Sequence, residues 1–220
     1  MKRSETAEIA WRPNGVPVST RFDDPYFSLE DGLAETEHVF LSGNALPARF
    51  RPGFHIGELG FGTGLNFCTA LKAWRRSGCT GPLSYTSFEA FPMAEADRTR
   101  ALSAFPKIAG EANDLQAVLR GEHVSDINLN LVLGDARETL TDWQGEVNAW
   151  FLDGFSPAKN PELWGEQLLR AVAHHTHPRG TAATYSAAGL VRRSLQEAGF
   201  TVVKASGFGR KRHMTKAWLG

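Results

Sequence analysis

The residue types best suited to chemistry gather around residues 58–64, E-L-G-F-G-T-G. Glycines at alternate positions let a turn reverse in few residues, tolerate positive φ and leave bare backbone for a ligand. An apolar, helix-compatible stretch begins near Leu65, and the amides at the start of a helix favour negative charge. The stretch therefore predicts a strand, a ligand-binding turn and a helix.

Three further acids each follow a strand-like apolar run. Glu89 follows residues 83–88, where an acid at the tip of a second strand can accept hydrogen bonds from both ribose hydroxyls of an adenosine cofactor. Asp135 follows the third run, where an acid commonly reaches the exocyclic amine of adenine in this architecture, so it is the candidate for that contact, with an N-cap for the next helix as the alternative. Asp153 follows the fourth run. These acids predict an adenosine-containing cofactor.

The form of the glycine turn indicates which cofactor. The sixth-position glycine of the dinucleotide fingerprint is missing, and an acid stands two residues before the first glycine. A G-x-G-x-G turn of this form holds the methionine end of S-adenosylmethionine in Rossmann-like methyltransferases. The predicted cofactor-binding residues are Glu58, Gly60, Gly62, Gly64, Asn66, Glu89, Asp135 and Asp153.

The elements that position these residues form one α/β domain, as a length of 220 residues allows. We expect a Rossmann-like class I methyltransferase fold with a seven-stranded, mostly parallel sheet and an antiparallel last strand. Residues 147–152 are nearly all apolar, as in a central parallel strand that is buried on both faces. Residues 1–50, with a turn signal at residues 12–15, are expected to form an N-terminal cap or hairpin on a methyltransferase domain of residues 51–220.

Composition excludes some classes of protein. Hydrophobic residues make up 42% of the chain and charged residues 22%, with a formal net charge of zero. No apolar run of eighteen residues and no signal-peptide pattern occur, so we expect a cytoplasmic protein without a membrane partner. Cys68 and Cys79 are expected to be reduced. His174, His175 and His177 are interpreted as a solvated helix end, so no metal is predicted.

Basic residues offer a local surface for nucleic acid. Arg210, Lys211 and Arg212 lie in a glycine-rich link between the last two strands. If the last strand turns back antiparallel, this link lies on the ligand face of the sheet and could clamp a phosphate backbone, with a solvated charged turn as the alternative. Asp23, Asp24 and Tyr26 could line the mouth of the pocket or belong only to the cap.

Several segments together resemble the methyltransferase half of the MnmC family of bacterial tRNA-modifying enzymes, including its stand-alone MnmD-type members. The most specific segment is residues 150–161, W-F-L-D-G-F-S-P-A-K-N-P, in which Ser156 replaces the usual alanine. The remaining matching segments are residues 22–28, 39–44, 58–67, 87–92 and 189–214.

This resemblance implies methylation of 5-aminomethyl-2-thiouridine at the wobble position of tRNA, with S-adenosylmethionine as the methyl donor and the anticodon region as the partner surface. The fused enzymes also carry a flavin oxidoreductase half. Because 220 residues leave no room for it, no flavin is expected in this chain, and a separate oxidoreductase could supply the aminomethyl substrate.

The expected chemistry assigns roles around residues 153–159. An aliphatic amine with a pKa of about 9 is largely protonated at neutral pH, so a nearby carboxylate must take its proton or orient it. Asp153 is the predicted catalytic residue. Phe155 could pack against the base or cofactor, and Lys159 could meet a phosphate or remain a solvated loop cation.

The sequence leaves alternative functions open. A nicotinamide-dependent oxidoreductase is disfavoured by the missing fingerprint glycine and by the lack of an evident catalytic pair. A non-catalytic RNA-binding relative would have no physical need for both the glycine turn and the acids. Methylation of a small-molecule amine is an alternative within the same enzyme class.

Overall fold

The computed structural model describes residues 5–28 and 30–220, which form two sheets. A three-stranded sheet has the order β1-β2-β3, and a seven-stranded sheet has the order β6-β5-β4-β7-β8-β10-β9. The strands are β1 (Ile9–Trp11), β2 (Pro17–Ser19), β3 (Asp24–Pro25), β4 (His55–Leu59), β5 (Leu83–Glu89), β6 (Ile127–Leu133), β7 (Val147–Leu152), β8 (Thr176–Thr184), β9 (Thr201–Ser206) and β10 (His213–Trp218).

The large sheet is parallel from β6 to β8, whereas β10 runs antiparallel to both β8 and β9. This arrangement confirms the predicted seven-stranded Rossmann-like sheet with an antiparallel last strand. The chain proceeds from β4 outward through β5 to β6, and then returns to β7 on the other side of β4. Ligands bind at such a switch point, outside the carboxyl ends of the strands.

Helices cover both faces of the large sheet. The helices are α1 (Gly32–Thr36), α2 (Leu65–Ser77), α3 (Glu95–Leu102), α4 (Ala109–Leu119), α5 (Ala136–Asp142), α6 (Glu166–His174) and α7 (Gly189–Glu197). A π-helical turn at Glu37–Leu41 continues α1, and shorter 3-10 turns are Ser42–Asn44, Pro106–Ile108 and Pro161–Trp164.

Alternate residues of β7 show how the two faces separate. Phe151 packs in a core with residues of α1, α2 and α4, whereas Trp150 and Leu152 pack in a second core with residues of α5, α6 and α7. All six residues of β7 are buried. The nearly continuous apolar run is therefore explained by burial on both faces of a central strand.

The N-terminal residues fold against the ligand end of the sheet. The predicted hairpin turn at residues 12–15 is confirmed, because β1 and β2 pair antiparallel and the Gly15 amide donates to the Arg12 carbonyl at 2.9 Å. The Asp24 carboxylate accepts a hydrogen bond from the Ser156 amide at 2.8 Å. This hydrogen bond connects strand β3 to the loop that follows β7.

The interpretation of the histidines was partly wrong. His174 and His177 are exposed, but His175 is buried and its Nδ1 lies 2.8 Å from the Gly145 carbonyl oxygen. Strand β8 begins at Thr176, directly after His175, and the His175 ring packs beside Trp143 instead of facing solvent. Within residues 5–28 and 30–220, no cluster of His, Cys, Asp and Glu is arranged to hold a metal ion.

Two other properties concern the described chain as a whole. The thiols of Cys68 and Cys79 are both free, as expected. No helix in the described part of the chain has the length and apolar character needed to cross a membrane.

Candidate active site

A large cleft opens at the carboxyl ends of β4, β5 and β7, with a volume of about 1880 Å³. Single small-molecule sites usually measure about 300–1,000 Å³, so the cleft has room for a cofactor together with part of a second reactant. The predicted site residues that line it are Gly60, Gly62, Asn66, Glu89, Asp135, Asp153, Phe155, Lys159, Arg210 and Lys211.

The glycine turn brings bare backbone to the floor of this cleft. Gly60 has a φ of +85°, and a Cβ atom there would collide with the carbonyl oxygen of Asp153. The Asp153 amide donates to the Leu59 carbonyl at 3.1 Å, which holds the ends of β4 and β7 side by side. Gly64 does not line the cleft; it precedes α2 and lets that helix pack closely on Leu115.

Glu89, at the end of β5, faces the turn from the other side. Its Oε2 accepts a hydrogen bond from the Gly62 amide at 2.9 Å, and its Oε1 accepts one from the Phe91 amide at 2.8 Å. Burial raises the pKa of this carboxyl, and the backbone hydrogen bonds oppose that rise. Each oxygen keeps a further lone pair, so the carboxylate can also accept hydrogen bonds from ligand hydroxyls.

A hydrogen-bond network links the acid before the glycine turn to the acid after β7. Asn66 donates through Nδ2 to Glu58 Oε1 at 2.9 Å and to Asp153 Oδ2 at 2.6 Å. Its own Oδ1 accepts a hydrogen bond from the Thr36 hydroxyl at 2.9 Å. Because every hydrogen-bonding atom of the Asn66 side chain has a partner, this amide fixes the position of the Asp153 carboxylate.

Glu58 lies beneath the cleft rather than in it. Its side chain is fully buried, and its second oxygen accepts a hydrogen bond from the Ser87 hydroxyl at 2.7 Å. Burial raises the pKa of Glu58 well above its ordinary value. The structure thus does not bring Glu58 to the surface where a cofactor would lie; it supports Asn66 from below.

Asp153 is half-buried and borders the cleft. Burial raises the pKa of its carboxyl to about 7, although the hydrogen bond from Asn66 lowers it. A carboxyl group with a pKa near neutrality can exist in both protonation states under working conditions, which is the property that general acid–base chemistry requires.

Asp135 and Lys159 line the cleft but already have protein partners. The alternative for Asp135 is confirmed, since its carboxylate caps α5 by accepting from the Arg137 amide at 2.9 Å and also pairs with the Arg137 guanidinium. The Arg137 hydrogen bond lowers the pKa of Asp135. Lys159 Nζ lies 3.1 Å from the Asp23 carboxylate and 4.0 Å from that of Asp24. Both side chains therefore have an ionic partner, and Lys159 is also exposed to solvent, as its alternative reading predicts.

Aromatic rings form one wall of the cleft. Phe155 stacks on Phe22 with ring centres 4.8 Å apart and meets Tyr26 edge to face at 5.1 Å. Phe22 also contacts Phe91 at 5.8 Å. Residue types and spacing predict no role for Phe22, and its one signal is its place in residues 22–28, a segment that resembles the MnmC family.

The basic link between β9 and β10 lies over the same cleft, as predicted. Arg210 pairs with Glu30 at 3.0 Å, and Lys211 pairs with Glu35 at 2.8 Å. Arg212 is exposed and does not line the cleft. The sequence indicated the basic residues of this link. It carried no signal for the acids that pair with them, Glu35 on α1 and Glu30 before α1.

Comparisons with known proteins agree with this geometry. Residues 101–220, or 120 of the 220, match a family described as S-adenosyl-L-methionine-dependent methyltransferase. The chain is 46% identical, over 95% of its length, to the tRNA 5-methylaminomethyl-2-thiouridine biosynthesis bifunctional protein MnmC of Hahella chejuensis. It spans 36% of that relative's length.

Solved structures show the same fold. MnmC2 from Aquifex aeolicus matches with a TM-score of 0.78 and 27% identity, over 98% of this chain and 71% of that one. A precorrin-6y C5,15-methyltransferase from Geobacter metallireducens matches with a TM-score of 0.53 and 15% identity, over 94% and 95% of the two chains. At that identity the second match concerns the fold alone.

S-adenosylmethionine, which the matched family uses, fits the residues present. A side chain on Gly60 would fill the space beside Asp153, so the turn keeps backbone open to a ligand. Glu89 retains acceptor capacity one strand away, and the cleft is large enough for the cofactor. From the switch point, the glycine turn and the family match, we conclude that the chain belongs to the S-adenosyl-L-methionine-dependent methyltransferase family.

Proposed function

We propose that this chain methylates the primary amine of 5-aminomethyl-2-thiouridine at the wobble position of tRNA, giving the 5-methylaminomethyl product. The observation that carries the proposal is the position of Asp153, a half-buried carboxyl that borders a large cleft beside the glycine turn. The likeness to MnmC over 95% of the chain supports the choice of substrate.

In this proposal S-adenosylmethionine supplies an electrophilic methyl group bound to sulfur. Gly60, Gly62 and Asn66 would hold its methionine end, Glu89 its ribose hydroxyls and Asp135 its adenine amine. Glu58 and Gly64 act from beneath the cleft, through Asn66 and through the packing of α2. For Asp135 to reach the adenine, the Arg137 pair must leave one lone pair of the carboxylate free.

Asp153 would act on the substrate amine. The amine reacts through a nitrogen lone pair, so it must be unprotonated and aligned with the methyl carbon. A carboxyl whose pKa is about 7 can accept or relay the proton. Its negative charge also stabilises the ammonium form, so orientation of the remaining N–H bonds is a second part of its role.

The wobble nucleoside would enter between the aromatic wall and the basic link. Phe155, stacked on Phe22, offers a surface for a splayed base, as single-stranded RNA recognition uses. Arg210 and Arg212 would meet the anticodon backbone, and Lys159 could exchange Asp23 for a phosphate. Lys211 lies beside them and pairs with Glu35. Since the net charge is zero, binding depends on this local surface.

Other parts of the proposal concern the setting of the reaction. The aminomethyl substrate would come from a separate oxidoreductase that removes a carboxymethyl group, in the cytoplasm. We also treat residues 1–50 as a cap on a methyltransferase unit of residues 51–220, because the N-terminal strands border the cleft.

The test is to incubate the protein with S-adenosylmethionine and tRNA that carries 5-aminomethyl-2-thiouridine, then digest the tRNA and weigh the nucleosides. We expect a gain of one methyl group on that nucleoside alone. Matched tRNA that carries the carboxymethylaminomethyl nucleoside should not react. Absence of methylation on the aminomethyl tRNA, with cofactor binding intact, would refute the proposed substrate and leave a small-molecule amine as the acceptor.

A further inference from the structure

An inward-facing ion pair lies in the same cleft, outside the cofactor and base sites described above. Lys211 Nζ lies 2.8 Å from Glu35 Oε1 and 4.0 Å from the centre of the Tyr185 ring. The Glu35 side chain is only 13% exposed, against 46% for Lys211. A carboxylate this far out of water needs a partner for its charge.

Two short chains of contacts join this pair to Asp153. Tyr185, under the Lys211 ammonium, donates its hydroxyl hydrogen to the Gly154 carbonyl at 2.6 Å. Thr36, which follows Glu35, donates to Asn66, and Asn66 donates to Asp153. The ion pair therefore borders the same cleft as Asp153 and is connected to it through protein contacts.

The charges of the pair act on the Asp153 carboxyl. Desolvation is the main cause of its raised pKa, and the Asn66 hydrogen bond is the main opposing effect. After these, the charge of Glu35 raises the pKa of Asp153 and that of Lys211 lowers it. The same two charges would act on an amine placed beside Asp153, since both effects depend on distance and dielectric.

We propose that Lys211 is a positioning residue that neutralises Glu35. The substrate amine then meets the negative charge of Asp153 alone, because the Glu35 carboxylate is paired. This inference rests on the proposed function. The nitrogen lone pair forms the new N–C bond, the electrons of the C–S bond leave with sulfur, and the amine must have lost a proton beforehand. A second free carboxylate would hold the amine as ammonium, which has no lone pair to react.

Other charged groups near the pair have partners of their own, and Lys211 is the cation that lies against Glu35. Arg210 pairs with Glu30, and Asp24 lies within reach of Lys159. The titratable or charged groups that face the pair from neighbouring elements are Asp24, Glu30, His38, Asp153, Tyr185 and Arg210.

The test is the pH dependence of kcat at saturating tRNA, because kcat reports ionisations in the bound complex. Lys211→Met should raise the pKa that governs kcat by about one unit, which lowers kcat about tenfold at pH 7.5 and lets it recover toward pH 9.5. Glu35→Gln should shift the profile to lower pH. The double variant Glu35→Gln/Lys211→Met should return it to the wild-type position.

A binding measurement without cofactor separates this role from a phosphate contact. At pH 7, the Lys211→Met variant should prefer tRNA that carries the aminomethyl group over unmodified tRNA more strongly than the wild type does. A phosphate contact predicts equal weakening for both tRNAs and a smaller salt dependence. Arg170→Met, which removes an exposed cation paired with Glu166 on α6 and away from the cleft, is the control and should leave both the kcat profile and the tRNA preference unchanged.

Unshifted profiles in both single variants would overturn the inference, as would equal weakening of both tRNAs in Lys211→Met. The Glu35→Gln profile keeps the test decisive if Lys211→Met does not fold. Failure of the proposed function is a different result: the wild-type protein itself would then leave the aminomethyl nucleoside unmethylated.

Discussion

Replacing Asp153 by Asn should make the protein more stable while it removes most of the turnover. The folded-state pKa of Asp153 is about 7, against an ordinary value of 3.8. Because the folded state binds the proton more tightly than the unfolded state, the ionised carboxylate lowers the free energy of unfolding as pH rises from about 4 to 7. Asn removes that penalty and keeps an oxygen for the Asn66 hydrogen bond.

The magnitude follows from the difference between the two pKa values. At about 1.4 kcal/mol per unit, the difference between 7 and 3.8 corresponds to at most about 4 to 5 kcal/mol above pH 7. The side chain keeps contact with water in the cleft, so we expect about 1–2 kcal/mol. For a chain of this size that gain raises Tm by about 2–8 °C.

The assay is thermal unfolding of wild type and Asp153→Asn between pH 4 and 8, together with methyl transfer and cofactor titration. The difference in Tm between wild type and Asp153→Asn should be near zero at pH 4 and largest above pH 7. Turnover of the variant should fall about 100-fold or more, and its affinity for S-adenosylhomocysteine should be kept. Asp135→Asn is the matched control: the lowered pKa of Asp135 predicts loss of stability at neutral pH instead. A Tm difference that does not change with pH would refute the burial argument, and equal loss of cofactor affinity would refute the catalytic assignment.

Three further substitutions test the cofactor site and the aromatic wall. Gly60→Ala should weaken S-adenosylhomocysteine binding more than tenfold, because its Cβ would meet a backbone oxygen. Gly53→Ala is the control, since Gly53 has a similar positive φ but open space around it. Calorimetry should show full affinity for this control. Glu89→Gln should weaken the same binding about 10- to 100-fold through loss of a charged acceptor, and unchanged affinity would contradict the ribose assignment. Phe22→Leu should raise the KM for tRNA with little change in cofactor affinity, whereas an unchanged KM would exclude Phe22 from the base site.

The glycine turn and the strand-end acids show which features could be predicted from the sequence alone. Residues 58–64 specify a strand, a tight turn and a helix through local backbone requirements, which depend only on near neighbours in the chain. Glu89, Asp135 and Asp153 each follow an apolar run, and the carboxyl ends of parallel strands meet at one edge. Local pattern and sheet geometry together were therefore sufficient to predict the fold and the cleft.

The tertiary structure decided which side chains meet across that edge. Lys211 contacts Glu35 from 176 residues away, and Thr36 reaches Asn66 across 30 residues. Composition and periodicity carry no signal for such pairs, because they depend on how α1 and the β9–β10 link pack over the finished sheet. Burial of the Glu58 carboxylate beneath the glycine turn also depends on long-range packing. The sequence by itself determined the sheet and the position of its cleft in outline, and long-range packing determined which charged side chains surround Asp153.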